Sequence, residues 1–460
     1  MTMTQPPHPD PDGPVQIVRD PMWNTIRLDP VAVRIVDTPA FQRLRYIRQL
    51  GFAHLVYPGA THTRFDHALG VYHLARTALR ILGETDARVR HRGGQTDLIP
   101  YAALLHDIGH YAFSHALEEL EADRLPGDHE AVSARFFQSD ELKEAMRPLG
   151  EDAAARIHEL IQGSGADPLR GLVSGSLDLD KMEYLRRDAR FCGVPYGEVD
   201  VDRLLQGLVV LDAPEGTGPE VGVREKAVSA LESLLFAKYQ MFRNVYWHHA
   251  VRAATALYKR IVEEAVRWEL LTPGELVGPT DEELLGEIRR RSGEAGGEAA
   301  RIGERWIPAL RNRRLPKRAL EIGAAEMDGV RLPEWLSRQG ERRRRLEDAL
   351  AARLGLQPGE VMVDYPSKRR MMELDLLVLR RGGRVERMGD QGLRGLIDLP
   401  LVARELYRTA RVLRVFTLER RALPPQDFME LLESDTTGSP EGEGGQGDDG
   451  LHGNTPPHPG

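Results

Sequence analysis

Two sets of apolar residues between positions 65 and 81 recur at steps of three and four residues, which is the spacing of helix faces. The first set is Phe65, Leu69, Tyr72, Ala75 and Leu79, and the second is Val71, Leu74, Ala78 and Ile81. Because apolar side chains occupy two faces, the pattern predicts a helix that is buried on most of its surface.

Other helical patterns fill most of residues 15–260. A short apolar helix is predicted over Tyr101–His106, and Ser114 is placed to cap a new helix that runs to Leu120. Long helical patterns with few breakers cover Arg224–Arg260. A helical bundle is the simplest fold that buries these faces together.

The pattern changes in residues 261–433. Prolines and glycines at 273–279 interrupt the helical pattern, and Glu282–Arg291 then predicts an amphipathic helix. Three runs are rich in β-forming residues, namely Val361–Asp364, Leu374–Leu379 and Val412–Leu418. Gly382 and Gly383 suit a hairpin turn. The fold class expected is therefore mainly α, a helical bundle with a smaller C-terminal α+β lobe.

Composition narrows the functional classes. The 460 residues carry a net charge of −8 and include one cysteine, Cys192, so no internal disulfide is expected. The acidic balance argues against a nucleic-acid partner or an anionic membrane. Neither a targeting segment nor a bilayer-spanning apolar run of roughly 20 residues is visible, which predicts a cytoplasmic protein. Residues 1–14 are rich in proline, and residues 434–460 are rich in glycine and acidic residues. Both compositions predict disorder.

The strongest chemical signal is the sequence HDIGH at 106–110. His67 precedes this motif and Asp180 follows it, so the set comprises two imidazoles and two carboxylates together with His106 and Asp107. Such mixed nitrogen and oxygen donors suit a divalent first-row metal that keeps positions open for water and a phosphate oxygen. Mn²⁺ or Mg²⁺ is expected, and Fe²⁺, Co²⁺, Ni²⁺ and Zn²⁺ are chemically admissible.

Six motifs surround this set in a fixed order. They are FQRLRYIRQLG (Phe41–Gly51), YPGATHTRFDHALGVYHLA (Tyr57–Ala75), LLHDIGHYAFSHALE (Leu104–Glu118), HE (His129–Glu130), LDLDKMEYLRRD (Leu177–Asp188) and MFRNVYWHH (Met241–His249). The order resembles the deoxynucleoside triphosphate (dNTP) triphosphohydrolase branch of the HD-domain phosphohydrolase superfamily. The resemblance covers roughly residues 15–260, which would form the HD catalytic domain.

The resemblance implies roles for the residues that match the family motifs. The metal ligands would be His67, His106, Asp107 and Asp180. Arg64 would clamp the triphosphate, and His129 would be the general acid, oriented by Glu118. His110 and His115 match positions of catalytic and phosphate-contacting imidazoles. The implied substrate contacts are Lys181 on phosphate, Tyr184 and Asp188 near the sugar, Gln49 and Leu50 beside the sugar and base, and Tyr246 against a ribose 2′-hydroxyl. Asp178 is interpreted as a partner that orients a ligand, and His62 as an ordinary loop residue.

The resemblance also implies a guanine-nucleotide effector site and a homo-oligomer, a dimer or larger. The residues of the effector site would be Asp37, Gln42, Arg45, Arg313 and Lys317. The N-terminal family motif Asp-Pro-Val-His-Gly is replaced here by Asp-Pro-Met-Trp-Asn at 20–24. Effector control is therefore stated as a hypothesis.

The function expected is metal-dependent hydrolysis of a dNTP to a deoxynucleoside and inorganic triphosphate. One alternative is another HD-family phosphohydrolase, a nucleotidase or a phosphodiesterase acting on a monophosphate or a signalling nucleotide, because a metal site alone does not select the substrate. The other alternative is a non-catalytic module that senses nucleotides or binds single strands. Two neighbouring carboxylates without a cation would repel each other, which weighs against that class.

Overall fold

The computed structural model describes residues 15–90, 97–120, 125–323, 332–333, 335–366, 375–389, 392–393 and 398–437. The disorder expected for 1–14 lies outside the described residues, as does most of the segment 434–460. The last helix extends to Thr437, a short way into that segment.

Helices make up most of the described chain. In residues 15–267 they are α1 Pro30–Val36, α2 Pro39–Gln42, α3 Arg64–Thr85, α4 Ala87–Arg90, α5 Ile99–Leu105, α6 Ser114–Leu117, α7 His129–Phe137, α8 Asp140–Met146, α9 Ala153–Ile161, α10 Leu179–Cys192, α11 Val201–Gly207, α12 Val228–Met241 and α13 His249–Arg267. The later helices are α14 Asp281–Ala295, α15 Ile307–Arg311, α16 Trp335–Arg338, α17 Gly340–Leu354, α18 Leu399–Ala410 and α19 Pro425–Thr437.

The helix predicted from the two apolar faces is confirmed as α3, whose side chains are buried on most sides. Helix α5 and the amphipathic helix α14 are confirmed as well. Two predictions were wrong in extent. Helix α6 ends at Leu117 rather than Leu120. The helical run over 224–260 is divided by a π-helical turn at Phe242–Tyr246, after which α13 begins a new axis.

Strands form three small sheets. Their bounds are β1 Gln16–Asp20, β2 Asn24–Leu28, β3 Leu208–Asp212, β4 Pro219–Arg224, β5 Lys317–Gly323, β6 Val361–Asp364, β7 Leu376–Leu379, β8 Val385–Met388 and β9 Val412–Thr417. The first two form an antiparallel hairpin, and the other sheets have the orders β3-β4-β7-β8 and β5-β9-β6. The hairpin turn predicted at Gly382 and Gly383 is confirmed between β7 and β8, where Gly383 has a φ of 82°.

The earlier and later segments share structure across residue 260. Strand β4 pairs in parallel with β7, and Leu376, Val378 and Met388 of the later segment join the apolar core around α3, α5 and α10. The division into lobes at that residue stays a prediction, whereas the fold class is confirmed: mainly α, a helical bundle with a small α+β lobe. In the described part of the chain, no helix is long and apolar enough to cross a membrane.

Candidate active site

The candidate residues lie at the ends of four helices that converge. Thr63 and Asp66 form a capping box that starts α3, which places Arg64 and His67 in its first turn. Helix α5 ends as the HDIGH sequence begins, with His106 at its C-cap. Helix α7 starts at His129, and α10 places Asp180 and Lys181 in its first turn. Side chains at helix ends can converge because the helices stop around one volume instead of passing it.

Close packing of glycine holds two of these ends together. A Cβ on Gly109, within the HDIGH sequence, would lie 2.0 Å from the carbonyl oxygen of His129. The turn after α5 therefore approaches α7 at a distance that only glycine allows. That approach places His110 against His129.

The four predicted metal ligands come together. The Nε2 atoms of His67 and His106 lie 3.2 Å apart, and Oδ1 of Asp180 lies 3.0 Å and 3.6 Å from them. Oδ1 of Asp107 lies 3.3 Å from Nε2 of His106. Two imidazoles and two carboxylates therefore face one small volume.

The hydrogen-bond pattern shows that this volume suits a cation. Nδ1 of His67 donates to Oε2 of Glu183 at 2.7 Å, and Nδ1 of His106 donates to the Ala103 carbonyl at 2.8 Å. Each ring thus uses its Nδ1 hydrogen outward, so its Nε2 atom faces inward and can bind a metal once it is deprotonated. Two imidazole nitrogens and the carboxylate oxygens form a mixed donor set that fits a divalent metal.

The titration behaviour agrees with a site built for positive charge. Burial lowers the pKa of His67, but hydrogen bonds with Asp180 and Glu183 outweigh it and raise that pKa to about 10. Against the effect of burial, the two imidazoles hold the pKa of Asp180 well below its usual range. The carboxylate of Asp180 is therefore charged at neutral pH, and the imidazoles supply the positive charge beside it that a bound cation would replace.

Asp107 connects this volume to the predicted phosphate clamp. Nη1 of Arg64 donates to its Oδ2 at 2.6 Å, and Nε2 of His110 lies 2.9 Å from its Oδ1. All three side chains are almost fully buried. Arg64 thus presents a fixed guanidinium at the edge of the candidate metal volume, where an anionic ligand would meet it.

Glu118 and His129 form a second unit. Nδ1 of His129 lies 2.9 Å from Oε1 of Glu118, and the His129 ring stacks on the His110 ring with centroids 4.0 Å apart. Burial lowers the pKa of His129, but the Glu118 carboxylate outweighs it and raises that pKa. Burial, together with Arg64 and His129, lowers the pKa of His110 to about 4. His129 therefore holds a proton more strongly than the neighbouring His110 does.

A third group surrounds Asp188. Its Oδ2 accepts the Tyr246 hydroxyl hydrogen at 2.6 Å, and its Oδ1 lies 2.8 Å from Nε2 of His62. The structure thus joins two of the predicted sugar contacts and adds His62, which was interpreted as an ordinary loop residue. Tyr184 is half-buried on the same helix as Asp188.

The remaining predicted contacts are placed less directly. The Lys181 ammonium forms an ion pair with Asp178 and donates to the Gly175 carbonyl at 2.9 Å. Gln49 is buried, and its Oε1 makes no hydrogen bond among the described residues, while Leu50 beside it is half-buried. The side chain of His115 lies outside the described residues.

The predicted effector residues form two groups. Arg45 donates to Oε1 of Gln42 at 2.8 Å and covers the Phe65 ring, and burial raises the pKa of Asp37 nearby. Arg313 and Lys317 instead line a basic groove of about 310 Å³ whose other cations include Arg318 and Arg420. The lining of that groove does not include Asp37, Gln42 or Arg45.

Comparison with known proteins identifies the domain that carries this arrangement. The HD domain matches residues 64–187, which carry the four converging ligands, and an HD associated region matches residues 199–393. The chain therefore contains an HD domain followed by an HD associated region. A crystal structure of a hypothetical protein from Aquifex aeolicus is similar over 92% of this HD-domain chain and 100% of that one, with a TM-score of 0.63 and 26% identity.

The chain matches part of the length of each of its curated relatives. Uncharacterized protein MJ1154 of Methanocaldococcus jannaschii is 33% identical over 60% of this chain and 55% of its own. YwfO of Bacillus subtilis, also uncharacterized, is 32% identical over 54% and 56%. Deoxynucleoside triphosphate triphosphohydrolase SAMHD1 of Gallus gallus is 32% identical over 51% and 43%. The chain therefore spans about half the length of these relatives.

Residues that orient the site were missed. Glu183 orients His67, and Arg187 pairs with Glu183 from the next turn of α10. Their spacing was a usable signal, since Glu183 lies three residues after Asp180 and therefore on the same helix face. No comparable signal pointed to Trp23, whose indole also reaches Glu183 from 160 residues away in the chain.

Proposed function

We propose that this HD-domain protein hydrolyses dNTPs to deoxynucleosides and inorganic triphosphate in a metal-dependent reaction. The observation that carries the proposal is the placement of the His129–Glu118 pair and Arg64 on either side of Asp107, beside the converging ligand set. Similarity to SAMHD1 proteins, named as dNTP triphosphohydrolases, supports the same substrate class.

The residues divide the work of such a reaction. His67, His106, Asp107 and Asp180 would hold the metal, which would neutralise phosphate charge and activate water when bound. Arg64 would hold a phosphate oxygen through its planar guanidinium. His129 uses Nδ1 for Glu118, so its Nε2 hydrogen would pass to the sugar oxygen as the bond to the phosphate breaks. Asp188, held by Tyr246 and His62, would accept a hydrogen bond from a sugar hydroxyl.

Product identification tests this function. Purified protein is incubated with each of the four dNTPs and Mn²⁺ or Mg²⁺, with an EDTA control, and the products are separated by ion-exchange chromatography. We expect deoxynucleoside and intact triphosphate in equal amounts, and no turnover with EDTA. Release of single phosphate or pyrophosphate would refute the proposal, and preferred turnover of a monophosphate or cyclic dinucleotide would favour the nucleotidase or phosphodiesterase alternative.

Matched variants separate chemistry from folding. The double variant His106→Ala, Asp107→Ala should lose turnover while remaining helical by circular dichroism. His54→Ala is the control, because among the described residues that ring is hydrogen-bonded to the Gly51 carbonyl alone, at 2.9 Å, and it lies outside the ligand set. Equal turnover by the two variants would contradict the assignment of the site.

Effector control and oligomerisation are parts of the same proposal. The basic groove lined by Arg313 and Lys317 would take the phosphates of a guanine nucleotide. Turnover of dATP is measured with and without GTP, and mass by light scattering. Equal rates would refute effector control, and a monomer under assay conditions would refute the oligomer.

A further inference from the structure

The turn of the N-terminal hairpin lies against the candidate metal site. Oδ1 of Asp20 accepts hydrogen bonds from the backbone N–H groups of Met22 and Trp23, at 2.7 Å and 2.8 Å. Asn24 closes the turn with a φ of 58°, a left-handed conformation that asparagine tolerates better than most residues. These bonds fix the turn, so the Trp23 side chain leaves it in one direction.

The Trp23 indole reaches the carboxylate behind His67. Its Nε1 donates to Oε1 of Glu183 at 3.0 Å. The ring lies between His73, with centroids 5.7 Å apart, and the Arg186 guanidinium, 5.0 Å from its centroid. Neighbours on both sides restrict rotation of the ring, so its N–H group has a fixed position.

A second contact connects the turn to the same carboxylate. Oδ2 of Asp20 lies 3.0 Å from Nη2 of Arg187, and Nη2 lies 2.7 Å from Oε1 of Glu183. Glu183 and Arg187 are fully buried. The turn therefore acts on Oε1 by two routes, while Oε2 of the same carboxylate holds His67 at 2.7 Å.

Helix α3 lies opposite Glu183 and leaves little space beyond what this carboxylate occupies. A Cβ on Gly70 would lie 2.0 Å from Oε1 of Glu183. With the α3 backbone on one side and the indole and guanidinium on the other, the carboxylate has one orientation available. That orientation is the one in which the Nε2 atom of His67 faces His106 and Asp180.

We infer that Trp23 and Asp20 are positioning residues for the metal site: through Glu183, the N-terminal hairpin fixes the ring of His67 and thereby sets the affinity for the divalent cation. The inference rests on the metal site of the proposed function, but not on the substrate. Carboxylates that orient a ligand histidine typically affect metal affinity by about 10- to 100-fold. The hairpin contributes one of the contacts that hold this carboxylate, so a smaller effect follows.

Calorimetric titration with Mn²⁺ tests this role on the full chain without substrate. Trp23→Phe keeps an aromatic ring between His73 and Arg186 but removes the N–H donor. We expect Mn²⁺ to bind this variant about 3- to 10-fold more weakly. The expected effect is smaller than that of a full hydrogen bond to a charged group, because neighbouring contacts replace part of the lost bond. Asp20→Asn, which keeps the turn acceptor and removes the charge facing Arg187, should weaken binding in the same direction, and Glu183→Gln by about 10- to 100-fold.

Two further measurements distinguish positioning from loss of fold. Turnover by Trp23→Phe should fall at limiting Mn²⁺ and recover at saturating Mn²⁺. A change of tryptophan fluorescence on Mn²⁺ addition should be largely absent from Trp23→Phe and retained in Trp268→Phe, whose ring is 41% exposed. The fraction of folded protein is measured by thermal unfolding under each condition. The Mn²⁺ affinity is then compared for that folded fraction.

The outcomes separate this inference from the proposed function. Unchanged Mn²⁺ affinity in Trp23→Phe and Asp20→Asn would overturn the positioning role while leaving the dNTP proposal intact. A loss of affinity that disappears after correction for unfolded protein would overturn it as well. If the wild-type chain binds Mn²⁺ and the variants bind it more weakly, the inference stands even where no dNTP is hydrolysed. Absence of Mn²⁺ binding by the wild-type chain would overturn both.

Discussion

Substitution Glu118→Gln should shift the pH range in which the enzyme works. Oε1 of Glu118 lies 2.9 Å from Nδ1 of His129, and its negative charge raises the pKa of that imidazole against the effect of burial. Glutamine still offers an oxygen to Nδ1, so the substitution removes the charge and keeps a neutral hydrogen bond. A hydrogen bond to a charged group contributes about 1.5–3 kcal/mol and a neutral one about 0.5–1.5 kcal/mol. The difference of about 1–1.5 kcal/mol corresponds to a pH midpoint about 1 unit lower.

The sign of the effect follows from the role of general acid proposed for His129. A general acid acts while it is protonated, so turnover falls as pH rises through its pKa. In Glu118→Gln that decline should begin about 1 pH unit lower than in the wild-type protein, because the partner of His129 no longer carries a charge. The measurement is kcat for dATP across pH 5.5–9.5 at saturating Mn²⁺, together with an NMR titration of the His129 ring protons.

Two control variants make the interpretation specific. Glu118→Asp retains the charge at a shorter reach and should place the decline between the other two profiles. Glu159→Gln removes an exposed carboxylate from α9 and should leave the profile unchanged. The reasoning is refuted if the alkaline decline of Glu118→Gln coincides with that of the wild-type enzyme, or if Glu159→Gln shifts it equally.

Two further predictions concern metal binding and stability. In Gly70→Ala the new Cβ would lie 2.0 Å from Oε1 of Glu183 and should displace that carboxylate, so calorimetry should show Mn²⁺ binding weakened by at least tenfold. The control is Gly286→Ala, whose new Cβ meets no described neighbour within 4 Å and should leave Mn²⁺ binding unchanged. In Arg252→Met the fully buried Asp364 carboxylate loses a guanidinium that contacts both of its oxygens, and the half-buried Glu119 loses a bidentate partner at 2.7 Å. Urea unfolding should therefore show a loss of about 3–5 kcal/mol that Gly286→Ala does not. Equal behaviour of the paired variants in either assay would contradict the corresponding argument.

Much of the helical fold could be predicted because its signals are local. Helix α3 has two apolar faces and a capping box at Thr63, and both are visible in the sequence. The strands β3 and β4 were not predicted, since a five-residue run such as Leu208–Asp212 does not distinguish a strand from a buried helix by periodicity alone. Strand β3 pairs with β4, and β4 in turn pairs with β7, a strand far along the chain.

The site was predictable in its residue types and less so in its supporting contacts. The order of motifs brought His67, His106 and Asp180 into one hypothesis, and the structure places them together. His62 was missed because a loop histidine has no periodicity, and only the fold brings it to Asp188. Long-range partners of this kind depend on tertiary packing, which no local pattern encodes.

Asp107 explains why the parts of the site should not act independently. Its Oδ2 holds Arg64 at 2.6 Å, and its Oδ1 lies 2.9 Å from His110 and 3.3 Å from His106. His110 in turn stacks on His129, so one carboxylate connects the cation volume, the phosphate clamp and the proton donor. A change at Asp107 alters all three at once, and residues that share such a partner have strongly non-additive effects. The losses caused by single substitutions at Arg64, His106 and His110 should therefore not sum to the loss caused by combining them, because each already disturbs the carboxylate on which the others depend.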